Sequence, residues 1–162
     1  MELFDDPRLT AMGLFAEVYT GLADKTSAVF AEAGLSDVDF ETLIRLARSP
    51  QQSLRMSDLA AQTSLSTSGI TRVVDRLERE GLVTRQACAT DRRASYAVIT
   101  EAGTARLRQV IPRHLEEIEV WFTGLVPPDR LAEFLDTLRL IRDVVRPCAT
   151  AGVTSRVDAA RG

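Results

Sequence analysis

Hydroxyl and guanidinium side chains are concentrated in one short stretch of the sequence, residues 66–83, which reads STSGITRVVDRLEREGLV. The stretch begins with serines and threonines and carries six charged side chains, among them Arg72, Arg76 and Arg79. Arginine donates hydrogen bonds in a planar fork that matches phosphate oxygens and the acceptor edge of guanine. Short hydroxyl side chains let a backbone come close to such a ligand. These residue types indicate binding of an anionic partner.

The side chains that metal binding or covalent catalysis needs are scarce. The chain has two cysteines, Cys88 and Cys148, and one histidine, His114, whereas a closed zinc site takes four Cys or His ligands at close spacings. The sequence contains no Gly-rich phosphate loop, no G-x-S-x-G elbow and no H-E-x-x-H pair. We therefore expect no metal, no cofactor and no enzymatic activity.

The composition of the 162-residue chain, with 45% apolar and 27% charged residues, is typical of one compact domain or of two small modules that share a core. No apolar run approaches the roughly 18 residues that a membrane span needs. The first ten residues, MELFDDPRLT, are acidic, where a secretory signal would be basic and then apolar. These features predict a cytoplasmic protein that does not contact a membrane.

The net charge of −3 is distributed unevenly along the chain. Residues 1–50 carry 4 basic and 9 acidic side chains, residues 51–93 carry 7 and 5, and residues 94–162 carry 9 and 9. The block with a positive excess contains the stretch of hydroxyls and arginines. An anionic partner would therefore be attracted there, although the whole molecule is acidic.

Two helices are predicted before this block, over residues 7–34 and 35–50. Pro7 lies near the start of the first helix and Gly34 follows its end, while Ser36 is a candidate N-cap of the second. Apolar residues recur at helical spacings in both. They are Leu9, Met12, Phe15, Tyr19 and Leu22 in the first helix, and Val38, Leu43, Ile44 and Ala47 in the second. We interpret both stripes as core scaffold.

The basic block itself predicts two helices followed by a hairpin. The first helix is short, with Ser57 as its candidate N-cap, and the second covers residues 66–80 and ends at Gly81. The period then changes from helical to alternating. Residues 82–87 and 95–100 are strand candidates, and the polar segment between them is long enough for a protruding hairpin loop.

The helical period returns after Thr100, a candidate N-cap, and predicts two final helices over residues 101–125 and 127–145. Pro112 lies inside the first of these helices, where it removes a backbone donor, so a bend is expected there. The apolar stripes consist of Leu107, Val110, Ile111, Leu115, Ile118, Phe122 and Leu125, and of Leu131, Phe134, Leu135, Leu138, Ile141 and Val145.

The helix over residues 66–80 has two distinct faces when its residues are placed at 100° intervals. Its apolar face spans about 100° of arc, the width of a stripe that packs on a core. This face consists of Ile70, Val73, Val74 and Leu77. The opposite face consists of Ser68, Arg72, Asp75 and Arg79, flanked by Thr71 and Arg76. Arg72 and Arg79 lie within one turn of Asp75, so an intrahelical ion pair is expected to mask its charge.

Two helices joined by a short turn, of which the second exposes hydroxyls and arginines near its N-terminus, form the arrangement that inserts a helix into the DNA major groove. Arg72 is expected to contact guanine or clamp a phosphate, with Thr67, Ser68 and Thr71 close to the duplex. For the helix alone, the alternative is a solvated face held by weak ion pairs.

The hairpin loop adds a second basic element directly after this helix. It carries Asp91, Arg92 and Arg93. A loop in this position can reach into the minor groove, where negative potential attracts arginine. Asp91 is expected to orient the guanidinium of Arg93. The loop favours DNA binding over the alternative of a merely solvated helix face.

Residues 56–103, MSDLAAQTSLSTSGITRVVDRLEREGLVTRQACATDRRASYAVITEAG, closely resemble the winged helix-turn-helix core of MarR-family transcriptional regulators. TRVVDRLEREGLV resembles the recognition helix of that family, and DRRASYAVITEAG resembles its wing. With the helices before and after, the resemblance covers roughly residues 8–146. It implies a mainly α fold with a small β-hairpin wing, in which dimerisation helices flank the winged helix-turn-helix.

The resemblance also implies a division of the chain by role. Residues 1–35 and 100–146 would dimerise, residues 36–99 would form the DNA-binding lobe, and residues 147–162 would be a flexible tail. Two lobes of a homodimer would straddle a pseudo-palindromic operator on double-stranded DNA. The groove-facing set would be Thr67, Ser68, Thr71, Arg72, Arg76 and Arg79, with Asp91, Arg92 and Arg93 in the wing.

In such regulators a small effector, often aromatic or phenolic, binds between the dimer helices and the DNA-binding lobe and releases a repressor from DNA. Phe15, Tyr19, His114 and Trp121 are candidates to line that pocket, with core or dimer packing as the alternative. In the turn before the recognition helix, Ser64 stands where many relatives have glycine. If that turn needs a positive φ, serine costs about 1 kcal/mol there.

Two alternative functions stay open at this point. Some relatives sense oxidants through a cysteine of the N-terminal helix; this chain has none there, but Cys88 lies near Arg85 and Arg92, which favour a thiolate. Cys148 is the other candidate for a redox role. The remaining alternative is a winged-helix module for protein contacts that has no specific DNA site.

Overall fold

Six α-helices and three short strands are formed by residues 3–87 and 94–152, the part of the chain that the computed structural model describes. They are α1 (Pro7–Glu32), α2 (Asp37–Ala47), β1 (Ser53–Arg55), α3 (Met56–Thr63), α4 (Thr67–Arg79), β2 (Val83–Ala87), β3 (Ser95–Ile99), α5 (Glu101–Trp121) and α6 (Pro128–Val145). This confirms the predicted fold class. None of these helices combines the length and the apolar character that crossing a membrane would take.

The predicted helix ends are set by local hydrogen bonds and by glycine. The Ser36 hydroxyl accepts from the backbone N–H of Asp39 at 3.2 Å, and the Asp39 carboxylate accepts from the backbone N–H of Ser36 at 3.0 Å, which closes a capping box on α2. Thr100 caps α5 by accepting from the N–H of Gly103 at 3.1 Å. Gly34 and Gly81 have φ values of 71° and 72°, the left-handed backbone that ends a helix.

The start of α3 differs from the prediction. The sequence places its N-cap at Ser57, but the helix begins at Met56 with Arg55 as the N-cap. The reason is β1, which the sequence analysis misses because three residues are too few to show an alternating pattern. Leu54 of β1 lies opposite Ala97 of β3, both are buried, and the antiparallel sheet has the order β1-β3-β2.

The hydrophobic core surrounds the predicted winged helix-turn-helix, residues 36–99, and extends into the helices on either side of it. It is formed by α2, α3, α4, the sheet, the C-terminal end of α1 and the N-terminal half of α5. The apolar face predicted for α4, Ile70, Val73, Val74 and Leu77, is buried in it as expected. The polar face of α4 is therefore turned outward by the packing of its other side.

The apolar stripe of α1 does not join this core. Phe15 and Tyr19 are 57% and 70% exposed, and Val29 and Phe30 are the buried residues of α1. In α6 no residue is buried. The interpretation of the α1 stripe as core scaffold was wrong for most of the stripe in the single chain, because Leu9, Met12, Phe15 and Tyr19 are exposed and Leu22 is half-buried.

The C-terminal end also differs from the expected flexible tail. Residues 147–150 form a short 3-10 helix in which Ala149 is buried, whereas residues 153–162 lie outside the described part of the chain. Pro112 lies within α5, which runs as one helix from Glu101 to Trp121. The bend expected at Pro112 stays a prediction.

Candidate nucleic-acid interface

The N-terminal end of α4 presents small hydroxyl residues to solvent. Ser66 is the N-cap, and its hydroxyl accepts from the backbone N–H of Gly69 at 3.1 Å. Thr67, Ser68 and Thr71 are exposed on the first turns. The Thr71 hydroxyl donates to the carbonyl oxygen of Thr67 at 2.7 Å, so it is already oriented along the helix. The first turns of α4 therefore present a polar surface with little side-chain bulk.

The turn between α3 and α4 uses a left-handed serine. Ser64 has φ 57° and ψ 26°, and its backbone N–H donates to the carbonyl oxygens of Ala60 and Ala61. The positive φ that the sequence analysis considered at this position is confirmed. The turn redirects the chain so that only three residues separate the end of α3 from the start of α4.

Arg72 is the arginine of α4 that is most available to a ligand. It is exposed, and its guanidinium makes no hydrogen bond or ion pair with any residue in the described ranges. Arg79, also exposed, donates from Nε to the carbonyl oxygen of Asp75 at 3.2 Å within its own helix. Arg72 can therefore contact a base edge or a phosphate without breaking an internal interaction.

Arg76 has a different environment, although the sequence groups it with the other arginines. Its Nη2 pairs with Oδ1 of Asp39, a carboxylate of α2 whose side chain is only 7% exposed. The other oxygen of that carboxylate closes the capping box of α2. Arg76 thus joins the recognition helix to α2 and neutralises a buried charge.

Asp75 is masked by a residue of the wing rather than by its helical neighbours. Arg85 of β2 donates from Nη2 to Asp75 at 2.6 Å and from Nη1 to Glu78 at 2.5 Å. The backbone N–H of Arg85 also donates to Glu78 at 2.9 Å. The expected intrahelical pair of Asp75 with Arg72 or Arg79 is absent from the described residues, so this prediction was wrong.

A groove of about 610 Å³ lies between α4 and the root of the wing. Arg55, Thr67, Asp75 and Arg85 are among its lining residues. Arg55 donates from Nε to the hydroxyl of Tyr96 at 3.0 Å, which fixes a further cation at this edge. The sequence analysis missed Arg55 and Arg85 as members of the site; alternation over 83–87 would have placed Arg85 on the same face as buried Val83.

Comparison with known proteins decides which family this architecture represents. A family model described as MarR family matches residues 33–94. The HTH-type transcriptional regulator MhqR from Bacillus subtilis (strain 168) is 32% identical over 106 residues, which cover 65% of this chain and 72% of MhqR. The chain belongs to the MarR family.

Solved structures of other MarR-family regulators agree with this assignment along most of the chain. AbsC from Streptomyces coelicolor has a TM-score of 0.81 and 32% identity, with 91% of this chain and 99% of AbsC covered. Sco3205 from the same organism, solved in complex with DNA, has a TM-score of 0.77 and 27% identity over 86% of this chain and 88% of Sco3205. The MarR-family fold thus extends beyond the matched winged-helix core.

The predicted wing tip of this MarR-family protein lies outside the described part of the chain. Asp91, Arg92 and Arg93, which the sequence assigns to DNA, lie outside the described residues, as does Cys88. Cys148 is an exposed free thiol on the C-terminal 3-10 helix. The root of the wing is defined, because β2 and β3 pair from Val83 opposite Ile99 to Ala87 opposite Ser95.

The four residues predicted to line an effector pocket do not form one aromatic cluster among the described residues. Phe15 and Tyr19 are exposed on α1. Trp121 donates from Nε1 to the Glu117 carboxylate at 2.8 Å, and its ring centroid lies 4.6 Å from the Nζ of Lys25. Among the described residues no ring contact joins Phe15 or Tyr19 to the other two side chains.

His114 belongs instead to an aromatic cluster between α1, α2 and α5. Its ring centroid lies 4.8 Å from that of Phe30 and 5.0 Å from that of Phe40. Burial lowers the pKa of His114 below the ordinary histidine value, because desolvation disfavours the charged imidazolium. Its Nδ1 is buried and has no hydrogen-bond partner within the described part of the chain.

Proposed function

We propose that this protein is a homodimeric, sequence-specific DNA-binding transcriptional regulator, acting as a repressor that a small effector releases. The observation that carries the proposal is the outward face of α4. It combines exposed hydroxyls with the guanidinium of Arg72, which has no partner among the described residues, and its exposed acid, Asp75, is paired with Arg85. A surface with exposed donors and no unpaired acidic charge can approach the phosphates that border a major groove.

The proposed contacts follow from the availability of each side chain. Thr67, Ser68 and Thr71 allow close approach of α4, while Arg72 and Arg79 supply the positive charge. We assign Arg76 a positioning role, because its guanidinium is committed to Asp39. Asp91, Arg92 and Arg93 remain the proposed minor-groove element, with Arg93 as the residue that enters the groove.

Dimerisation is supported by the apolar surface that a single chain leaves in water. Large apolar side chains of α1, α5 and α6 are exposed together. They include Leu9, Met12, Phe15, Tyr19, Trp121, Leu140, Ile141, Val144 and Val145. Soluble monomers seldom expose patches of this kind. A second copy of the chain, packed on the same helices, is the proposed partner.

A two-fold dimer dictates the form of the operator. The two α4 helices would enter successive major grooves on one face of the duplex, about 10 bp apart, on a pseudo-palindromic site. Repression requires only that the dimer occupy DNA needed by polymerase. The proposed location is the cytoplasm, where such DNA lies, and the proposal includes no catalytic step.

The test is operator binding by fluorescence anisotropy, with DNA from upstream of the protein's own gene and at two salt concentrations. Wild-type affinity should fall by about 0.9 log unit per neutralised phosphate for each tenfold rise in salt. Arg72→Ala and Arg93→Ala should each weaken binding about tenfold or more, without unfolding the protein. Arg130→Ala, at an exposed arginine of α6, is the matched control.

The alternative outcome is equally measurable. If Arg72→Ala and Arg93→Ala bind as well as wild type, or if binding does not respond to salt, the helix and wing do not read DNA. The chain would then be a winged-helix module for protein contacts. The effector predicted by the family resemblance is small and aromatic or phenolic.

A further inference from the structure

Helix α6 ends at the dipeptide Arg146-Pro147, which turns the chain out of the helix. Proline lacks the backbone N–H that a continuing helix needs, and it disfavours helical backbone in the residue before it. Arg146 accordingly has φ −146° and ψ 64°, outside the helical range. Pro147 then opens the 3-10 helix of residues 147–150. We call residues 146–152 the C-terminal strap.

Three hydrogen bonds hold the strap on α2 and α3, the helices that precede α4. Nη2 of Arg146 donates to the carbonyl oxygen of Gln62 in α3 at 2.6 Å. In return, Nε2 of Gln62 donates to the carbonyl oxygen of Ala151 at 2.5 Å. Nη1 of Arg45 in α2 donates to the carbonyl oxygen of Ala149 at 3.0 Å. The strap thus connects the end of α6 to the last turn of α3.

Gln62 is the residue of α3 that is adapted to the strap. Its exposed fraction is 2%, although glutamine is a residue type that mostly lies at the surface. A buried amide needs hydrogen-bond partners, and the strap carbonyl of Ala151 is the acceptor for its NH₂ group. Detachment of the strap would remove that acceptor. The contact is therefore specified by both segments.

Close packing accompanies these hydrogen bonds. Ala149 is 4% exposed. Gly152 has φ 79°, and a Cβ at this position would lie 2.7 Å from Oδ2 of Asp58 on α3, closer than real side chains approach. The strap therefore fits α3 at its beginning, in its middle and at its end.

The strap gives the lobe of residues 36–99 a second attachment to the remaining helices. The first attachment is the hydrophobic core, which includes the C-terminal end of α1 and the N-terminal half of α5 but not Ala149. Within the described ranges, α6 itself packs extensively on none of α2, α3 and α4. A body attached in one region can still pivot about it, whereas a second, separate attachment removes that freedom.

The position of α3 determines the position of α4. Gln62 lies two residues before the left-handed Ser64, and both helices bury residues in the same core. In a two-fold dimer, the separation and relative rotation of the two α4 helices depend on how each lobe is held against the dimerisation helices. A lobe that pivots would present α4 at a range of positions instead of one.

We propose that the C-terminal strap fixes the orientation of the lobe relative to α6, with Arg146 and Gln62 as positioning residues, and thereby sets the spacing of operator half-sites that the dimer accepts. Neither residue lies on the face assigned to DNA, so both act through the position of α4. The fixed orientation is a property of each chain. Its consequence for operator spacing rests on the function proposed above.

The first test measures a distance within one chain by double electron–electron resonance. Spin labels are attached at Ser68→Cys on α4 and at Arg130→Cys on α6, both exposed positions, in a full-length chain that also carries Cys88→Ser and Cys148→Ser. The labelled chain is mixed with an excess of unlabelled chain, so that each assembly holds one labelled copy. With the strap intact, the distance distribution should be single and narrow.

Two further substitutions, both outside the hydrophobic core, release the strap. Arg146→Gln removes the donor to Gln62, and Gly152→Val places a side chain against Asp58. Each should widen the distance distribution about twofold or more, because the lobe gains a pivoting motion. Arg139→Gln is the matched control, since Arg139 pairs with Asp136 of its own helix, and it should leave the width unchanged. Circular dichroism establishes that every variant is folded.

The second test measures preference for half-site spacing by fluorescence anisotropy. The site that the protein protects upstream of its own gene is compared with versions in which two base pairs are inserted or removed between the half-sites. Two base pairs rotate one half-site by about 70° and shift it by about 7 Å. Wild type and Arg139→Gln should lose about tenfold or more in affinity on the altered sites. Arg146→Gln and Gly152→Val should lose about threefold or less, because a pivoting lobe follows the displaced half-site.

The ratio of affinities separates positioning from a general loss of stability, which would weaken binding at every spacing alike. If Arg146→Gln and Gly152→Val give the same distance distribution as Arg139→Gln, the strap does not orient the lobe and the inference fails. If the distribution widens while the spacing preference equals that of wild type, the proposed role in operator selection is overturned.

Failure of the DNA-binding proposal gives a different result. A wild-type protein that binds no site on this DNA would contradict the function proposed above. The distances within one chain would still decide whether the strap orients the lobe, because that measurement requires neither DNA nor a second labelled chain. The two proposals can therefore fail independently.

Discussion

Three arginines near the recognition helix illustrate how the surroundings of a residue set its role. Arg72 has no partner among the described residues, Arg76 neutralises the buried Asp39, and Arg85 bridges Asp75 and Glu78. Each guanidinium has the same charge and the same donors. The first is available to DNA, whereas the other two hold elements in place.

Ser64 offers a test of local strain. Ser64→Gly should raise the free energy of unfolding by about 0.5–1 kcal/mol, because glycine adopts φ 57° without a clash of Cβ but loses more entropy on folding. The mirror substitution is Gly81→Ser, at φ 72° with no atom within 4 Å of an added Cβ. It should destabilise by a similar amount. Urea unfolding measures both, and a destabilised Ser64→Gly protein would contradict the argument.

His114 predicts a dependence of stability on pH. Its pKa in the folded protein is lowered by burial, so the unfolded chain takes up a proton first as the pH falls. The contribution of neutral His114 to the free energy of unfolding is complete above the ordinary histidine pKa of about 6.5. This contribution is lost as the pH drops below that value. Urea midpoints measured about one unit above and below that value should differ more in wild type than in His114→Phe. Equal differences would exclude His114 as the cause.

At the scale of elements, the recognition helix and the wing act as one unit because β2 is tied to α4. Arg85 makes this connection through Asp75, Glu78 and the carbonyl oxygen of Thr71. The same contacts keep two carboxylates from facing the phosphates. We therefore infer that the wing root contributes to the proposed DNA binding without touching DNA.

Arg85→Ala should weaken operator binding about tenfold, or about 1.4 kcal/mol, because it exposes the carboxylates of Asp75 and Glu78 to phosphate and frees the wing. Adding Asp75→Asn to Arg85→Ala should restore part of the loss. Fluorescence anisotropy on the operator measures both variants. If the double variant binds no better than Arg85→Ala, charge repulsion is not the reason for the loss.

At the scale of the whole molecule, α1, α5 and α6 expose apolar side chains in the single chain. Such a surface is expected of one protomer of an oligomer. The core of the single chain is formed by α2, α3, α4, the sheet and the adjoining ends of α1 and α5, and α6 buries none of its residues. Phe134 of α6 packs against Phe122 within the chain, whereas Leu140, Ile141, Val144 and Val145 are exposed, and we propose that a second chain covers them. In the proposed dimer, this surface also sets the distance between the two α4 helices and therefore the spacing of the operator half-sites.

Ile141→Asp should disrupt the dimer, since it places a charge on an apolar position of α6 that is 51% exposed in the single chain. Sedimentation equilibrium should give the mass of a monomer, and operator affinity should fall with it. Arg139→Asp introduces the same side chain about 170° away from the centre of the exposed apolar face of α6, and should leave the dimer intact. A dimeric Ile141→Asp protein would place the interface elsewhere.

The sequence by itself determined the features that depend on neighbours along the chain. The helical period with its apolar face at Ile70, Val74 and Leu77, the caps at Ser36 and Thr100, and the glycines that end helices are all local, and each was predicted at its observed position. The recognition helix and the root of the wing were found for the same reason, because a change of period needs no knowledge of the rest of the fold.

Only the tertiary structure decided which distant groups meet. Arg76 pairs with Asp39 across 37 residues, and Arg45 binds a carbonyl 104 residues away. Neither pairing leaves a periodic signal, because each depends on how helices pack rather than on spacing along one of them. The apolar stripe of α1 has the same pattern as a core stripe, yet its residues from Leu9 to Tyr19 are exposed, because the described part of the chain does not cover that end of the helix.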